Sequence, residues 1–240
     1  MINKIKKIIK ENREFQYSQL KYLKELEWAQ IYHDSIRGQE GIKDLSLNIG
    51  RWAGNYTFFY ILNRVLKDYK PLNVLELGLG ESSKFISTYL DFYLTNSNHL
   101  IIEQDKSWSS AFKLQFSLSK RSKIEICPIV EKNINEFPVK VYENLESKIQ
   151  NNYDLYVVDG PHGSPRFSRY DIVSIAKKMS PNHEFIIILD DYQRQGEKDT
   201  FYKLQSVFKE KGIIIYHETF FGFKEVKIIT TEKYKYCCSI

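Results

Sequence analysis

The sequence has few cysteines and no long apolar run, and each shortage excludes a class of protein. Its three cysteines, Cys127, Cys237 and Cys238, do not have the number or spacing of a disulfide framework or a zinc site. No apolar segment approaches the length of about 20 residues that spans a membrane, and none of signal-peptide length follows the basic N-terminus. We therefore expect reduced thiols, a cytoplasmic location and no stable membrane insertion.

The charge is nearly balanced. The chain carries 35 lysines and arginines against 30 acidic residues, a net charge of +5, and the basic residues are scattered among the acids. This pattern does not indicate a nucleic-acid groove. A hydrophobic content of 42% over 240 residues is ample for the core of one α/β domain with an appendage.

The N-terminal part, residues 1–72, is predicted to be a helical layer packed on a core domain of residues 73–240. Apolar residues recur at helical spacing over residues 2–28, residues 30–50 look irregular, and a helical pattern resumes at Trp52–Leu66. The first helix is basic at one end. Its apolar side is expected to pack on the domain or on a second subunit in a homodimer, with binding to a membrane surface as the alternative.

After residue 72, apolar strand patterns alternate with helical ones. The predicted strands are Val74–Leu77, Leu100–Glu103, Ile124–Ile129, Leu155–Asp159, Phe185–Asp190, Ile213–His217 and Val226–Ile229. The predicted helices lie near residues 82–94, 107–118, 167–179 and 198–211. This alternation predicts an α/β fold with a doubly wound, mainly parallel seven-stranded sheet. The last two strands are too close in sequence for a crossover helix, so they should form an antiparallel hairpin.

The first strand runs into a glycine loop, Glu76-x-Gly78-x-Gly80. Glycine lets the backbone turn sharply and approach a ligand where a Cβ would collide. The second strand ends in Glu103, near the distance of about 20 residues at which an acid binds the ribose of a cofactor in such sheets. The loop and the acid together predict a cofactor that contains a nucleoside.

The loop also favours one cofactor over another. A dinucleotide motif has its third glycine where this chain has Ser83, which counts against NAD, and the acid at position 76 suits a sulfonium and an ammonium group better than phosphates. The motif resembles the first motif of class I S-adenosylmethionine-dependent methyltransferases, although that family usually has a glycine in place of Ser82. The resemblance implies a Rossmann-like methyltransferase fold and a cofactor site formed by Glu76, Gly78, Gly80, Ser82, Glu103, Trp108 and Asp159.

Acidic residues follow the fourth and fifth strands. Asp159 ends one of them, and Asp190 and Asp191 end the other. The carboxyl ends of adjacent strands line the same crevice, so the three carboxylates should converge and would repel one another unless a cation or protons neutralise them. Mg²⁺ with oxygen ligands would do so. Turn and helix-cap chemistry is the alternative explanation of these acids.

The acids also resemble the magnesium ligands of metal-dependent O-methyltransferases, such as catechol O-methyltransferase and the macrolide-sugar O-methyltransferases. This resemblance implies that Asp159, Asp190 and Asp191 bind Mg²⁺, which would hold two neighbouring hydroxyls of an acceptor. The catalytic base is predicted to be His162, in the glycine- and proline-bounded loop after Asp159, with Asp191 as the alternative.

Three arginines near the same strand ends, Arg166, Arg169 and Arg194, suit an anionic acceptor such as a phosphorylated or nucleotide-linked sugar, or else form surface ion pairs. Residues 76–197 are also similar to methyltransferase-like proteins of bacterial surface-polysaccharide synthesis, which implies a small-molecule sugar acceptor. The expected function is methyl transfer from S-adenosylmethionine to a sugar hydroxyl. The alternatives are a catalytically silent protein that binds the cofactor or regulates, and a nicotinamide-dependent oxidoreductase.

Overall fold

The seven-stranded sheet lies between helices on both of its faces in the computed structural model, which describes residues 2–149 and 152–240. The helices are α1 (Ile2–Ser35), α2 (Tyr56–Tyr69), α3 (Glu81–Phe92), α4 (Lys106–Gln115), α5 (Asp171–Lys178) and α6 (Gln195–Glu210). The strands are β1 (Asn73–Leu77), β2 (Asn98–Glu103), β3 (Ser122–Ile126), β4 (Ile129–Ile134), β5 (Phe137–Tyr142), β6 (Leu155–Val158), β7 (Ile186–Leu189), β8 (Tyr216–Phe221) and β9 (Glu225–Thr230). Short 3₁₀ helices cover Leu145–Ser147 and Glu232–Ser239.

The strands of the sheet are ordered β3-β2-β1-β6-β7-β9-β8. The first five are parallel, whereas β9 runs antiparallel to both β7 and β8. This order confirms the predicted doubly wound sheet with a C-terminal hairpin. The chain proceeds outward from β1 in both directions, so the crevice for a ligand lies at the carboxyl ends of β1 and β6, where the order reverses.

Each face of the sheet has its own core because side chains alternate along a strand. Leu75 and Leu77 of β1 pack on the face covered by α5 and α6, and Val74 packs on the opposite face with α2 and α3. Helix α2 buries much of its surface there, including Phe58 and Phe59. The sheet and α2 therefore share one continuous core.

Helix α1 is longer than predicted, because it continues to Ser35 through residues predicted to be irregular. Trp28 and Tyr32 recur at helical spacing and contact aromatic side chains of α2, with ring centroids 5.3 Å apart for Trp28 and Tyr60. Upstream, the Glu25 carboxylate accepts the backbone N–H groups of Tyr56 at 2.8 Å and Phe223 at 2.9 Å. None of the helices in the described part of the chain is long and apolar enough to cross a membrane.

Two strand predictions need correction. The predicted strand Ile124–Ile129 is interrupted after Ile126, where β3 ends. Its last residue, Ile129, begins β4, which pairs with β5 in a separate antiparallel hairpin. The rest of this hairpin is predicted as neither strand nor helix. The hairpin turns at Asn135 and Glu136, whose positive φ values of 47° and 71° suit a tight two-residue turn. The predicted strand Ile213–His217 begins later, at Tyr216, because Tyr216 pairs with Thr230, the last residue of β9.

Candidate cofactor site and acid cluster

The glycine loop joins β1 to α3 and rests on the loop that follows β6. Gly78 has a φ of +104°, and a Cβ at this position would lie 3.1 Å from the backbone nitrogen of Gly160. A Cβ at Gly80, in contrast, would meet no described atom within 4 Å. The first glycine is therefore needed for the turn and for close contact with its neighbour, while the second leaves open space beside the loop.

A chain of hydrogen bonds supports the loop from below. The backbone N–H of Gly80 donates to the Ser83 hydroxyl at 3.1 Å, and this hydroxyl donates to the Glu76 carboxylate at 2.7 Å. The ring of His99 lies 3.0 Å from the same carboxylate, and neither side chain is exposed. The structure therefore places Glu76 beneath the loop, where it acts on the conformation of the loop through Ser83.

Glu103 connects the glycine loop to the segment that follows β2. One carboxylate oxygen accepts the backbone N–H of Leu79 at 2.9 Å, and the other accepts the backbone N–H of Asp105 at 2.7 Å. Glu103 thus lies beside the glycine loop, next to the switch point of the sheet. Each of its oxygens keeps a second lone pair, which a ligand hydroxyl can use.

Trp108 lies against the same loop. Asp105 caps α4 by accepting the backbone N–H groups of Ser107 and Trp108, and this places the indole next to the loop. The indole N–H donates to the backbone carbonyl of Leu79 at 2.8 Å, and 44% of the residue is exposed. Ser82 is buried in the first turn of α3. The structure therefore brings the predicted loop, Glu103 and Trp108 together at one place.

The three aspartates converge as predicted. Carboxylate oxygens of Asp159, Asp190 and Asp191 all lie within 4.8 Å of one another at the ends of β6 and β7. Asp190 is completely buried, and the side chain of Asp159 is 23% exposed. Such a group of carboxylates requires a cation or protons to neutralise it.

The positive charge comes from the chain itself. One terminal nitrogen of Arg169, Nη2, donates to Asp159 at 2.9 Å and to Asp191 at 2.7 Å. The other, Nη1, donates to the backbone carbonyls of Val158 and Asp190 at 3.2 and 2.6 Å. Only 3% of Arg169 is exposed. The guanidinium is therefore buried inside the cluster and bridges two of its three acids.

Lys224 is a second buried cation at the cluster. Its Nζ lies 3.8 Å from an oxygen of Asp190 and 3.5 Å from one of Asp191, and it donates to the backbone carbonyl of Ala53. Arg194, whose side chain is half exposed, adds a contact of 3.0 Å to Asp191. These side chains do not fit a divalent ion as they stand, because a guanidinium already bridges two of the oxygens that the ion would use.

The environment separates the pKa values of the three acids. Burial, together with the neighbouring acids, raises the pKa of Asp159 to about 7 and that of Asp190 to about 6. Burial acts on Asp191 in the same direction, but Arg169, Lys224 and Arg194 outweigh it and hold the pKa of Asp191 below its usual value. Asp191 is consequently a poor proton acceptor. His162 is exposed in the loop after β6 and lies near Asp105.

The arginines are not arranged around one mouth. Arg166 forms an ion pair with Asp199, and Arg169 lies in the interior, so only Arg194 stays half exposed at the acid cluster. The prediction of an anion site with three arginines is wrong for Arg169. The sequence gives only a weak sign that Arg169 is buried, because an arginine four residues after Ser-Pro is expected on a helix surface. The role of Lys224 is equally hard to predict, since this residue lies in a turn far along the chain.

No protein-family model matches this chain, and no curated protein matches its sequence. Among solved structures, it is similar to the O-methyltransferase TomG from Streptomyces achromogenes, solved in complex with S-adenosylmethionine, with a TM-score of 0.50, 10% identity and coverage of 85% of this chain and 89% of that chain. The fold is that of the class I methyltransferases. An O-methyltransferase from Bacillus cereus, in complex with S-adenosylhomocysteine, has a TM-score of 0.48 and 11% identity over 85% of this chain and 91% of that chain.

Proposed function

We propose that this protein transfers a methyl group from S-adenosylmethionine to a hydroxyl of a sugar or sugar-containing metabolite. The observation that carries the proposal is the Glu103 carboxylate, which ends β2 next to the switch point of a methyltransferase sheet and accepts the backbone N–H of Leu79 in the glycine loop. TomG, which shares the fold, was solved with S-adenosylmethionine. Three free cysteines favour the cytoplasm as the compartment of this reaction.

The residues of the crevice have distinct parts in this proposal. Glu103 accepts hydrogen bonds from the ribose hydroxyls, and the exposed face of Trp108 covers the adenine. Gly80 leaves room for the ligand next to the loop, while Glu76 and Ser83 hold the loop in place. When bound, S-adenosylmethionine supplies a methyl group on a sulfonium, which is open to attack by an oxygen nucleophile.

The acceptor hydroxyl needs a base, and His162 suits this part better than Asp191. His162 is exposed in the loop after β6, so it can take a proton from a bound hydroxyl and pass it to water. Asp191, in contrast, forms ion pairs with Arg169, Lys224 and Arg194, and these make its carboxylate a poor proton acceptor. Arg194 remains available at the rim for an anionic group on a nucleotide-linked sugar. An acceptor of this class agrees with a part in surface-polysaccharide synthesis.

Magnesium is not part of the proposed reaction. The sequence predicts Mg²⁺ at Asp159, Asp190 and Asp191, but Arg169 bridges two of these acids. No step is therefore assigned to a metal ion.

A protein that binds the cofactor without turnover is the second candidate. Ser82 takes the place of the third glycine usual in the motif and is buried in the first turn of α3. Such a protein would bind S-adenosylmethionine and transfer nothing.

Calorimetry with S-adenosylhomocysteine, followed by assays with nucleotide-linked sugars, tests the proposal. We expect binding and the formation of a methylated sugar, with loss of turnover in His162→Gln and unchanged binding of S-adenosylhomocysteine. Binding without transfer to any acceptor would favour the second candidate, a protein that binds the cofactor without turnover. Absence of binding, or binding of NAD instead, would contradict the proposal.

A further inference from the structure

We propose that Arg169 and Lys224 are built-in counter-ions that take the place of a divalent metal, and that removal of the Arg169 charge converts the aspartate cluster into a metal site. This inference concerns the binding of ions to Asp159, Asp190 and Asp191. It does not depend on the proposed methyl transfer, because its test measures metal binding directly.

The position of the guanidinium carries the first step. A single nitrogen of Arg169 contacts Asp159 at 2.9 Å and Asp191 at 2.7 Å, so one positive charge bridges the two carboxylates that a metal ion would bridge. A divalent ion on the same oxygens would be repelled by this charge at close range and with little screening by water. As long as Arg169 is present, the cluster holds an internal cation.

The charge of the surroundings carries the second step. Lys224 contacts Asp190 and Asp191, and Arg194 contacts Asp191. Three cations therefore face the three aspartates, and Glu197, 3.7 Å from Arg169, is one further acid in the neighbourhood. The negative charge that attracts a divalent ion to such a cluster is already largely compensated. A metal would have to displace a buried ion pair.

The backbone carries the third step. Arg169 and Asp191 both have a φ of 58°, a left-handed conformation that is uncommon for residues other than glycine and is often found at functional sites. The chain thus adopts an unfavourable conformation at both members of the ion pair that fills the cluster. Arg169 also donates to the carbonyls at the ends of β6 and β7, so its charge is held at a fixed place.

Without Arg169, the carboxylate oxygens of Asp159, Asp190 and Asp191 are suited to bind a metal ion. Asp190 is completely buried, and neither of its carboxylate oxygens has a hydrogen-bond partner in the described part of the chain. Buried oxygens without donors are costly and would gain from a cation. Asparagine tolerates the left-handed backbone at position 169 and carries no charge, so Arg169→Asn frees the oxygens of Asp159 and Asp191 that the guanidinium occupies.

The test is a titration of the full chain with Mn²⁺, after treatment with a chelator, followed by calorimetry and by the electron paramagnetic resonance of free Mn²⁺. We expect no saturable binding to the native protein. Arg169→Asn should bind one Mn²⁺ at least about tenfold more tightly than the native protein, a difference of about 1.4 kcal/mol. Addition of Asp190→Asn to this variant should abolish the binding. Arg166→Asn, which removes an arginine outside the cluster, is the matched control and should bind no Mn²⁺.

Two outcomes would overturn the proposal. One is saturable binding of Mn²⁺ to the native protein that Asp190→Asn removes, because Arg169 would then not exclude a metal. The other is a folded Arg169→Asn variant, judged by circular dichroism, that binds no Mn²⁺. If this variant folds only with Mn²⁺ present, the result supports the proposal. If it does not fold with or without Mn²⁺, Arg169→Gly, which also suits the left-handed backbone at this position, carries the same test, with the same expected gain and the same contradicting result.

Discussion

The carboxylate of Glu103 accepts the backbone N–H of Leu79 at 2.9 Å, so the end of β2 is tied directly to the glycine loop after β1. In the proposed complex the same carboxylate binds ribose. Glu103→Ala should weaken the binding of S-adenosylhomocysteine by roughly 1–3 kcal/mol, the value expected for loss of a hydrogen bond to a charged group. Isothermal titration calorimetry measures the effect. Glu210→Ala, at an exposed acid near the end of α6, should bind as the native protein does.

The Ser83 hydroxyl accepts the backbone N–H of Gly80 and donates to the buried carboxylate of Glu76. Ser83→Ala should lower the free energy of unfolding by roughly 1–3 kcal/mol, because the buried carboxylate loses a donor. We also expect weaker binding of S-adenosylhomocysteine, since the loop loses its support. Urea unfolding and calorimetry provide the two measurements. Ser110→Ala, on an exposed position of α4, is the control, and equal stability of the two variants would contradict the role of Ser83.

Trp108 donates its indole N–H to the carbonyl of Leu79 and keeps part of its ring exposed. Binding of S-adenosylhomocysteine should therefore change the tryptophan fluorescence of the native protein. This change should disappear in Trp108→Phe, which should also be less stable to unfolding by roughly 0.5–1.5 kcal/mol for the lost hydrogen bond to Leu79. Trp52→Phe removes a side chain that is 93% exposed and should leave the fluorescence change intact. A change that persists in Trp108→Phe would place the adenine elsewhere.

Asp171 gives the stability a defined pH dependence. Burial at the start of α5 raises the pKa of its carboxyl to about 7, although the backbone N–H of Tyr142 donates to it at 3.1 Å. In the unfolded chain an aspartate has a pKa of about 3.9. The folded state therefore binds this proton more tightly, and the contribution of Asp171 to stability, complete below about pH 4, is lost as the pH rises toward 7.

Asp171→Asn keeps the acceptor for Tyr142 and has no proton to lose. Relative to the native protein, the variant should be more stable at pH 8 than at pH 4.5. The gain should be on the order of 1–4 kcal/mol, because each tenfold difference in proton affinity corresponds to about 1.4 kcal/mol. Urea unfolding at several pH values measures it, with the exposed Asp44→Asn as control. An identical pH profile for the variant and the native protein would exclude this role of Asp171.

Helix α1 exposes apolar side chains upstream of its contact with α2, among them Phe15 at 62% and Leu23 at 63% exposure. We expect a second copy of the chain to cover this side, because single exposed apolar residues are common but a row of them along one helix is costly in water. The native protein should sediment as a dimer, and Phe15→Glu combined with Leu23→Glu as a monomer. Lys24→Glu, an exposed change on the same helix, should leave the dimer intact. A native protein that is monomeric at all concentrations would contradict this expectation.

The central strands could be predicted from sequence because their signals are local. In β1 and β2 an apolar run ends in a glycine loop or an acid, and parallel sheets bring such ends together by a general rule. The β4–β5 hairpin escaped prediction because Glu131, Lys132 and Asn133 make β4 polar and exposed, even though β5 buries Val139 and Val141 in the main core. Its turn at Asn135 and Glu136 lacks the glycine that marks most hairpins.

The cations of the acid cluster could not be predicted because their placement depends on long-range contacts. The predicted helix began at residue 167 and would have put Arg169 on a helix surface. The structure begins α5 at Asp171 and turns Arg169 inward through a left-handed backbone. Lys224 reaches the cluster from the β8–β9 turn, 3.8 Å from Asp190, although the two are far apart in sequence. Convergence of three acids was predictable, but the source of the compensating charge was not.

The contact between Gly78 and Gly160 has a consequence for laboratory evolution. A Cβ on either glycine would lie 3.0–3.1 Å from backbone atoms of the other, so substitutions at the floor of the crevice disturb two loops at once. The rim is different, since Lys140 of the β4–β5 hairpin donates its backbone N–H to the Ser164 hydroxyl in the exposed loop after β6. Libraries that aim to change acceptor preference should therefore vary the hairpin and residues 162–166, and leave both glycines unchanged.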